Sequence, residues 1–502
     1  MPLMRFALPP KQFFENLAIT GDSVPFDEVL LVPRYSEVLP GEADLSTRIT
    51  RDLRMGLPFL PAAMPTVTDV RMAIACAERG SMGIIPRQQD PEKQSEKVST
   101  VKNVRSGFVK TPRTLRADKT LAEHRSDQDL RLAAGKNVFQ YHPVEDSDGS
   151  LVGYLDDTQL VFHRDDTKTI GEIMTPISDK YTVKSDTTPQ QAYKTLLDRA
   201  IPIIFRVRGK HLTGMYLLSG LERKFDKASR TANVDKNGRF VVGAAIGVGT
   251  KEIDRGLLLL SKGADLIVVD VAHIHTKSGL ETVKILSKET PNVLTGNIAT
   301  DEAARDLIRA GAAGLKVGIG PGSICTTRAV TGSGVLQLTA LYWVARYAKR
   351  FGIPVCADGN IVVSGSLAKA FGVGAESGMC GSLFAGTDES PGEPYINAKG
   401  HKVKRYDGAG SMSAMNSGSG EIRYRQKTVP EGVESEVPYK GPVSQVITNL
   451  EGGLQAACGM IGAANIPAMQ KQALLTRMNA AGQRESNVHD VTVVGDRVIG
   501  LM

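Results

Sequence analysis

The stretch NVLTGNIATDEAARDLIRAGAAGLKVGIGPGSICTTR, residues 292–328, contains a complete strand–helix–strand unit. Continuous apolar runs at 292–298 and 314–320 flank the segment DEAARDLIRAG, in which apolar residues recur with helical spacing. Runs that are apolar at consecutive positions are typical of strands covered on both faces of a parallel sheet. The stretch therefore predicts a parallel β/α architecture.

The same alternation recurs along most of the chain, and helical patterns follow most of the apolar runs. Six further runs predict strands: PFLPAAM (58–64), SMGIIP (81–86), FVVGAAIGV (240–248), ADLIVVDV (264–271), IPVCADGN (353–360) and ESGMCGSL (376–383). Eight such units predict an α/β fold of the (β/α)8 TIM barrel type. A doubly wound open sheet is the alternative.

Residues 106–235 interrupt this pattern with a more polar segment that contains a weak internal repeat of helices and strands. We expect it to be an insertion between the second and third barrel units, with the barrel built from 1–105 and 236–502. A second irregular stretch, about 386–442, is rich in Gly, Ser and charge. A loop of this length in a compact domain predicts a functional flap.

Composition limits the class of protein. The chain has 502 residues, of which 41% are hydrophobic and 23% charged, as in globular proteins of more than one domain. We expect a cytoplasmic protein, because there is no long apolar run or signal-like N-terminus and the five cysteines show no C-x-x-C spacing. The net charge of +7 favours anionic ligands such as nucleotides, but no basic stripe indicates nucleic-acid binding.

Cys325 is the candidate nucleophile, since it follows the sixth predicted strand, at the end of the barrel where active sites lie. Loop amides and the nearby Arg328 are expected to lower the pKa of its thiol. An unreactive loop thiol is the alternative. The other cysteines lie in apolar runs and are expected in the core: Cys76, Cys356, Cys380 and Cys458.

Small and acidic residues end the last three predicted strands. Backbone N–H groups at such glycines can approach a phosphate closely, so this rim predicts a phosphate site. The positions are Gly320, Gly322, Asp358, Gly359, Gly381 and Ser382.

Two histidines, His273 and His275, follow the fourth predicted strand. Metal binding would need a carboxylate or thiolate partner, and none is evident in the sequence. We therefore expect a surface or substrate contact.

Several motifs together resemble the IMP dehydrogenase and GMP reductase superfamily over about residues 25–495. They are VGIGPGSICTTR, GTDESPGE, VPYKGPV, ESNVHDV, DEVLLVPRYSEVLPGEADLSTRIT and VVGAAIGV. The inserted segment resembles paired cystathionine-β-synthase-type (CBS) domains, with IGEIMTP opening the second. The resemblance implies a TIM barrel with an inserted CBS pair.

The resemblance also implies a mechanism. Cys325 would attack C2 of inosine monophosphate (IMP), and hydride would pass to NAD, leaving a covalent thioimidate that water converts to xanthosine monophosphate. Arg423 and Tyr424 match the flap pair that activates this water, and Thr327 and Glu431 match a second proton relay.

The binding residues follow from the same resemblance. Positions that match IMP-binding residues are Ser323, Asp358, Gly359, Gly381, Ser382, Tyr406, Gly408, Gly410 and Glu431. Asp270, Asn297, Gly318 and Gly320 match NAD-binding positions. Donors to a monovalent cation, K+, are implied at Gly320, Gly322 and Cys325, and from a neighbouring subunit at Glu485, Ser486 and Asn487. The resemblance thus implies a homotetramer, with adenine or guanine nucleotide effectors at the CBS pair and no role for a membrane.

The direction of the reaction is left open between two activities. DESPGE, VPEGVES, the Arg–Tyr pair and the insertion favour NAD-dependent IMP dehydrogenase in guanine nucleotide biosynthesis. AKAFG and the short spacing from Arg423 to Glu431 favour GMP reductase, which deaminates GMP with NADPH. A third possibility is a purine-nucleotide-binding relative with weak catalysis, because Pro65, Ile274, Asn360 and Ala409 depart from the family pattern.

Overall fold

The computed structural model describes residues 7–105, 107–133, 140–225, 231–408, 410–411 and 429–491. The chain divides into two compact units. Unit 1 comprises Met1–Ser99, Thr231–Asn233 and Val241–Met502, and unit 2 comprises Thr100–Arg230 and Val234–Phe240.

Unit 1 contains an eight-stranded parallel sheet, and all eight predicted strands are confirmed. Adjacent strands of the sheet are hydrogen-bonded, and its two end strands, Phe59–Pro61 and Gly83–Ile85, approach each other, so the sheet forms a nearly closed barrel. The strands are β1 Phe59–Pro61, β2 Gly83–Ile85, β3 Val242–Ile246, β4 Leu266–Asp270, β5 Val293–Ile298, β6 Gly314–Val317, β7 Val355–Asp358 and β8 Ser377–Cys380.

A helix follows each strand, as the β/α pattern predicts. Hydroxyls begin two of these helices, because Thr276 accepts from the backbone N–H of Gly279 and Thr300 from that of Ala303. The helices are α1 Val70–Glu78, α2 Pro91–Asn103, α3 Thr250–Ser261, α4 Lys277–Glu289, α5 Asp301–Arg309, α6 Gln337–Ala348, α7 Ser364–Gly372 and α8 Val443–Ile461.

Shorter elements surround the barrel. Its further helices are Pro10–Thr20, Thr327–Thr331, Ile466–Gln472 and Ala480–Glu485, with 3-10 turns at Phe26–Glu28, Pro40–Glu42 and Lys349–Phe351. Strands pair as Val29–Leu31 with Leu475–Arg477, Thr47–Arg48 with Arg54–Met55, and Tyr395–Ile396 with Lys402–Asp407 and Glu434–Pro438. Within the described part of the chain, no helix has both the length and the apolar character that a bilayer crossing needs.

Unit 2 contains two four-stranded sheets built to one pattern, a parallel pair followed by two antiparallel pairs. One sheet consists of Leu115–Arg116, Tyr141–Glu145, Leu151–Asp156 and Thr175–Pro176, and the other of Thr182–Lys184, Ile203–Arg208, His211–Leu217 and Phe108–Val109. The helices are Leu121–Ala133, Ile170–Ile173, Pro189–Arg199 and Leu218–Phe225, with 3-10 turns at Asp157–Phe162 and Asp179–Tyr181.

A buried ion pair closes unit 2 on itself. Lys102 is almost fully buried, and its Nζ lies 2.8 Å from Oδ2 of Asp235. Burial opposes the charge on Asp235, but hydrogen bonds from Lys102 and the backbone N–H of Arg239 outweigh it and lower its pKa to about 2. The pair thus ties the two chain segments of unit 2 together.

We predict that Asp235→Asn lowers the stability of unit 2 by about 2 kcal/mol at neutral pH. A carboxylate whose pKa is lowered by folding stabilises the folded state most at pH values above its unfolded-state pKa. The difference in unfolding free energy between wild type and Asp235→Asn should therefore become smaller as the pH falls from about 4 towards 2. Hydrogen exchange of unit 2 peptides in urea measures this. The matched control is the exposed Asp118, which pairs with Arg116, and Asp118→Asn should leave the urea midpoint of unit 2 unchanged. A gap that is independent of pH would contradict the assignment.

Candidate active site

A cleft of about 1070 Å³ opens at the carboxyl-terminal edge of the barrel in unit 1. This is the edge where (β/α)8 proteins carry their functional groups. Most of the site residues suggested by the sequence line it: Asp270, Asn297, Gly318, Gly320, Gly322, Cys325, Thr327, Asp358, Gly359, Gly381, Tyr406, Gly408, Gly410 and Glu431. The fold therefore brings together residues that are up to 161 positions apart, counted from 270 to 431.

Cys325 is the half-buried end of a chain of hydrogen bonds. Its thiol donates to Oγ1 of Thr327 over 3.2 Å, and that hydroxyl donates to Oε2 of Glu431 over 3.0 Å. The backbone holds the same groups in register, because the N–H of Thr326 donates to the carbonyl of Glu431 over 3.1 Å. A proton can thus pass between the sulfur and a carboxylate through one hydroxyl.

Arg328 braces the loop that carries Cys325. Its guanidinium donates to the carbonyls of Ile319, over 2.8 Å, and Val335, over 2.6 Å. Partial burial lowers the pKa of Arg328, and the neighbouring Cys325 opposes this shift. Arg328 thus joins the backbone before Cys325, at Ile319, to the backbone after it, at Val335.

Lys316, on β6, is a site residue that the sequence analysis missed. Its Nζ lies 3.0 Å from Oδ1 of Asp270 and 2.5 Å from Oδ2 of Asp358, and it also donates to Oδ1 of Asn297. Burial disfavours the ammonium, but the two carboxylates outweigh it and raise the pKa of Lys316. A lysine inside the apolar run GLKVGIG was the available signal, since a charge in a buried strand needs partners.

Asn297 and Gly318 complete this network. The amide nitrogen of Asn297 donates to the carbonyl of Gly318 over 2.6 Å and to Oδ2 of Asp358 over 2.9 Å. An added Cβ at Gly318 would lie 1.9 Å from the carbonyl oxygen of Asp358, so only glycine lets β6 and β7 approach so closely here. Both ends of the Asn297 amide are thus engaged by the protein.

The rim that the sequence predicts to bind phosphate combines glycines with a buried tyrosine. Gly359 and Gly381 line the cleft, and the hydroxyl of Tyr406 lies against Gly381 so closely that an added Cβ would be 2.3 Å from it. Burial raises the pKa of Tyr406, which keeps its phenol protonated. Ser323 and Ser382 are next to lining glycines in sequence but do not themselves line the cleft.

Two departures from the family pattern are accommodated by the backbone. Asn360 has φ +57°, in the left-handed region that asparagine tolerates better than most residues with a Cβ. Ile274 is fully buried and its N–H donates to the carbonyl of Asn297 over 3.2 Å. Pro65 is exposed, and Ala409 lies outside the described residues.

The two histidines after β4 have separate environments. His273 lines the cleft, whereas Nε2 of His275 lies 3.0 Å from Oδ2 of Asp306 on α5. Asp306 is therefore a carboxylate partner that the sequence did not reveal, and it is shared between His275 and Arg305. Their ring centroids are 6.3 Å apart.

Two of the suggested site residues, Arg423 and Tyr424, lie outside the described residues. Glu485, Ser486 and Asn487 are exposed at the end of the helix Ala480–Glu485 and are not among the residues that line the cleft.

The remaining cysteines are buried free thiols: Cys76, Cys356, Cys380 and Cys458. Burial raises the pKa of each of them, to about 12 at Cys356 and about 11 at Cys458. They are therefore protonated and inert at neutral pH, as the apolar runs predict.

We predict that Lys316→Met lowers the free energy of unfolding by about 2–4 kcal/mol, because two carboxylates lose their buried counter-charge. The matched control is Lys97→Met, which breaks a partly exposed pair with Asp69 and should cost less than about 1 kcal/mol. Urea unfolding followed by hydrogen exchange of barrel peptides checks both. Equal losses in the two variants would show that the Lys316 network does not stabilise the barrel.

At Asn360 we predict that replacement by alanine costs about 1 kcal/mol, since alanine is strained at φ +57°. Asn360→Gly should cost less, because glycine adopts this conformation without strain. Thermal unfolding of the two variants tests the difference. Alanine tolerated as well as glycine would exclude backbone strain as the reason for asparagine.

Comparison with known proteins shows which family this chain resembles over its length. A family model described as the IMP dehydrogenase / GMP reductase domain matches residues 23–489. Inosine-5'-monophosphate dehydrogenase of Rhizobium tropici is 43% identical and covers 94% of this chain and 95% of its own. The enzyme of the same name from Escherichia coli K12 is 39% identical and covers 95% of this chain and 98% of its own.

Among solved structures, a GMP reductase variant from Trypanosoma brucei in complex with guanosine 5'-monophosphate is similar. Its TM-score is 0.82 at 34% identity. The match covers 94% of this chain and 98% of the other, so it includes most of unit 2 as well as the barrel. The reductase of the same organism in complex with guanosine 5'-triphosphate has a TM-score of 0.73 at 30% identity, covering 93% of this chain and all of the other. By these matches, which span nearly its whole length, the chain belongs to the IMP dehydrogenase / GMP reductase family.

Proposed function

We propose that this protein is an NAD-dependent IMP dehydrogenase, which oxidises IMP to xanthosine monophosphate in guanine nucleotide biosynthesis. The observation that carries the proposal is the chain from Cys325 through Thr327 to Glu431 at the barrel mouth. This chain supplies a thiol nucleophile and, through the Thr327 hydroxyl, a carboxylate that can exchange protons with it. The dehydrogenase names of the relatives above, at 39–43% identity, favour this direction of reaction.

The proposed reaction has two balanced steps. The Cys325 sulfur bonds to C2 of the hypoxanthine, its proton leaves, and hydride departs from C2. Water then attacks C2, the carbon–sulfur bond breaks, and the thiol regains a proton as xanthosine monophosphate is released. The net change is IMP, NAD+ and water to xanthosine monophosphate, NADH and a proton.

Two sets of residues are proposed to activate the water. Arg423 and Tyr424 match the family's flap pair, although a guanidinium serves as a base only in a strongly shaped site, since it is otherwise always protonated. Thr327 and Glu431 are the proposed second path, which is supported by the hydrogen bond between their side chains.

Substrate binding is proposed to use the rim of β6, β7 and β8. Ser323, Gly359, Gly381 and Ser382 would present N–H groups to the phosphate, and the Asp358 carboxylate would accept from ribose hydroxyls. Lys316 fixes the position of that carboxylate. Tyr406, Gly408 and Gly410 would complete the nucleotide pocket.

NAD and K+ fit the donors that this edge presents. NAD accepts the hydride when bound, and Asp270, Asn297, Gly318 and Gly320 are the proposed contacts. Carbonyl oxygens of Gly320, Gly322 and Cys325 suit a monovalent cation. The loop makes a tight turn here, because the N–H of Cys325 donates to the Gly322 carbonyl over 3.0 Å.

The surroundings of the site are proposed to follow the family. A cytoplasmic homotetramer would let a neighbouring subunit supply donors at Glu485, Ser486 and Asn487. Unit 2, which contains most of the predicted insertion 106–235, would be a CBS pair that binds purine nucleotide effectors. Its cleft of about 420 Å³ is lined by the cations Arg113, Arg116 and Lys119 and by the carboxylates Asp118 and Glu123, and the cations would contact phosphates.

GMP reductase is the second candidate, favoured by the trypanosomal structures. The same thiol, hydroxyl and carboxylate would serve it, since it would also form a bond from sulfur to C2. Ammonia rather than hydride would leave C2, and NADPH would then return a hydride.

The deciding assay supplies each substrate pair separately. We predict NADH absorbance and xanthosine monophosphate from IMP, NAD and K+, and little NADPH oxidation with GMP. Cys325→Ala should lower kcat more than about 1000-fold and leave IMP binding largely intact. NADPH oxidation with GMP alone would establish the reductase, and normal turnover by Cys325→Ala would exclude covalent catalysis.

The flap base gives a separate prediction. Arg423→Ala should keep a first-turnover burst of NADH but slow steady turnover about 100-fold or more, because water attack is impaired after hydride transfer. The matched control is Arg425→Ala, two residues on, which should retain most activity. Stopped-flow absorbance separates the phases, and loss of the burst itself would contradict a role in water attack.

A further inference from the structure

A buried group of polar side chains in unit 2 takes no part in the proposed chemistry. His124 and Gln128 lie four residues apart on one helix face, His142 lies on a strand of the first sheet, and Asp157 begins the following 3-10 turn. Both imidazoles are 0% exposed, and the Asp157 side chain is 18% exposed. We name these four residues the imidazole cluster.

Four distances within the imidazole cluster are close to those between ligands of one ion. Nε2 of His124 lies 3.1 Å from Oδ1 of Asp157, and Nε2 of His142 lies 3.3 Å from Oδ2. The amide of Gln128 lies 3.5 Å and 3.3 Å from the same two nitrogens. With zinc bonds of about 2.0–2.1 Å, neighbouring ligand atoms of a tetrahedral site are about 3.3 Å apart.

Hydrogen bonds alone do not satisfy this arrangement. If both imidazoles donate Nε2–H to the carboxylate, neither nitrogen has a lone pair for the Gln128 N–H that faces it. If the amide is turned round, its oxygen comes 2.5 Å from Oδ2 of Asp157, and two acceptors oppose each other. With its nitrogen toward Asp157, Gln128 leaves a buried Oε1 with no hydrogen-bond partner among the described residues.

A cation resolves the conflict. We propose that the imidazole cluster binds one divalent transition-metal ion per chain, with Zn2+ as the best fit. Its ligands are Nε2 of His124, Nε2 of His142, a carboxylate oxygen of Asp157 and, with the amide turned, the oxygen of Gln128. Two nitrogens and two oxygens match the ligand preference of zinc, and the turned Gln128 oxygen moves away from Oδ2 of Asp157, which is 2.5 Å from it, to reach tetrahedral spacing.

Four protein ligands make the site structural rather than catalytic, because no position is left for a substrate. The ion joins a helix to the sheet beside it and to the next turn, so its binding stabilises the folded form of unit 2. The partly exposed Asp157 gives the ion a path from solvent. Among the residues that the structure describes, this is the one group of three or more His, Cys, Asp or Glu side chains at such spacing.

The test uses untagged full-length protein stripped with a chelator and titrated with Co2+, whose visible bands report tetrahedral coordination. We expect one Co2+ per chain, displaced by Zn2+, and at least tenfold weaker binding in His124→Asn and in the near-isosteric Asp157→Asn. The matched control is His211→Asn, an exposed histidine of the same unit, which should bind as wild type. Absence of stoichiometric binding, or unchanged binding in both cluster variants, overturns the site.

A second measurement does not depend on the variants folding. X-ray absorption of the Zn2+-loaded wild-type protein should show two imidazoles and oxygen ligands at one zinc. Sulfur in the zinc coordination shell overturns the proposal, because the imidazole cluster contains no cysteine.

Discussion

The buried ammonium of Lys316 is the interaction on which the active edge depends. A lysine at this depth is unfavourable unless nearby negative charge compensates, and Asp270 and Asp358 provide it from β4 and β7. With Asn297 on β5, the network joins four consecutive strands at their carboxyl ends. The loop that carries Cys325 begins directly after this network, so the position of the sulfur follows from it.

A second constraint comes from the chain segment that carries Glu431. Backbone hydrogen bonds tie the segment at Glu431 to the loop at Cys325, from Thr326 to Glu431 and from Val433 to Ile324. The thiol and the carboxylate are therefore held at fixed spacing by two unrelated parts of the chain. The loop at Cys325 is positioned by the barrel, and Glu431 belongs to the long irregular stretch. The proposed acid–base path therefore depends on the conformation of both.

The barrel could be predicted from the sequence because each strand is a local apolar run. Cys325 could be predicted as a site residue because it follows a strand at the carboxyl-terminal edge of the barrel. Side-chain contacts between residues far apart in the sequence could not be predicted in this way. The partner of His275 is 31 residues away, and His124 meets Asp157 only after a sheet brings them together. Lys316 carried a local signal, a charge inside an apolar strand, but its partners come from other strands.

Both reactions considered for this site pass through one species, a purine bonded through C2 to the Cys325 sulfur. IMP reaches it by losing hydride and GMP by losing ammonia, so trapping it tests covalent catalysis whichever direction dominates. The decisive measurement is mass spectrometry of the tryptic peptide VGIGPGSICTTR, residues 317–328, from protein quenched in acid during steady turnover. A nucleotide adduct on Cys325 is the predicted result, and an unmodified peptide while substrate is being consumed would contradict the mechanism.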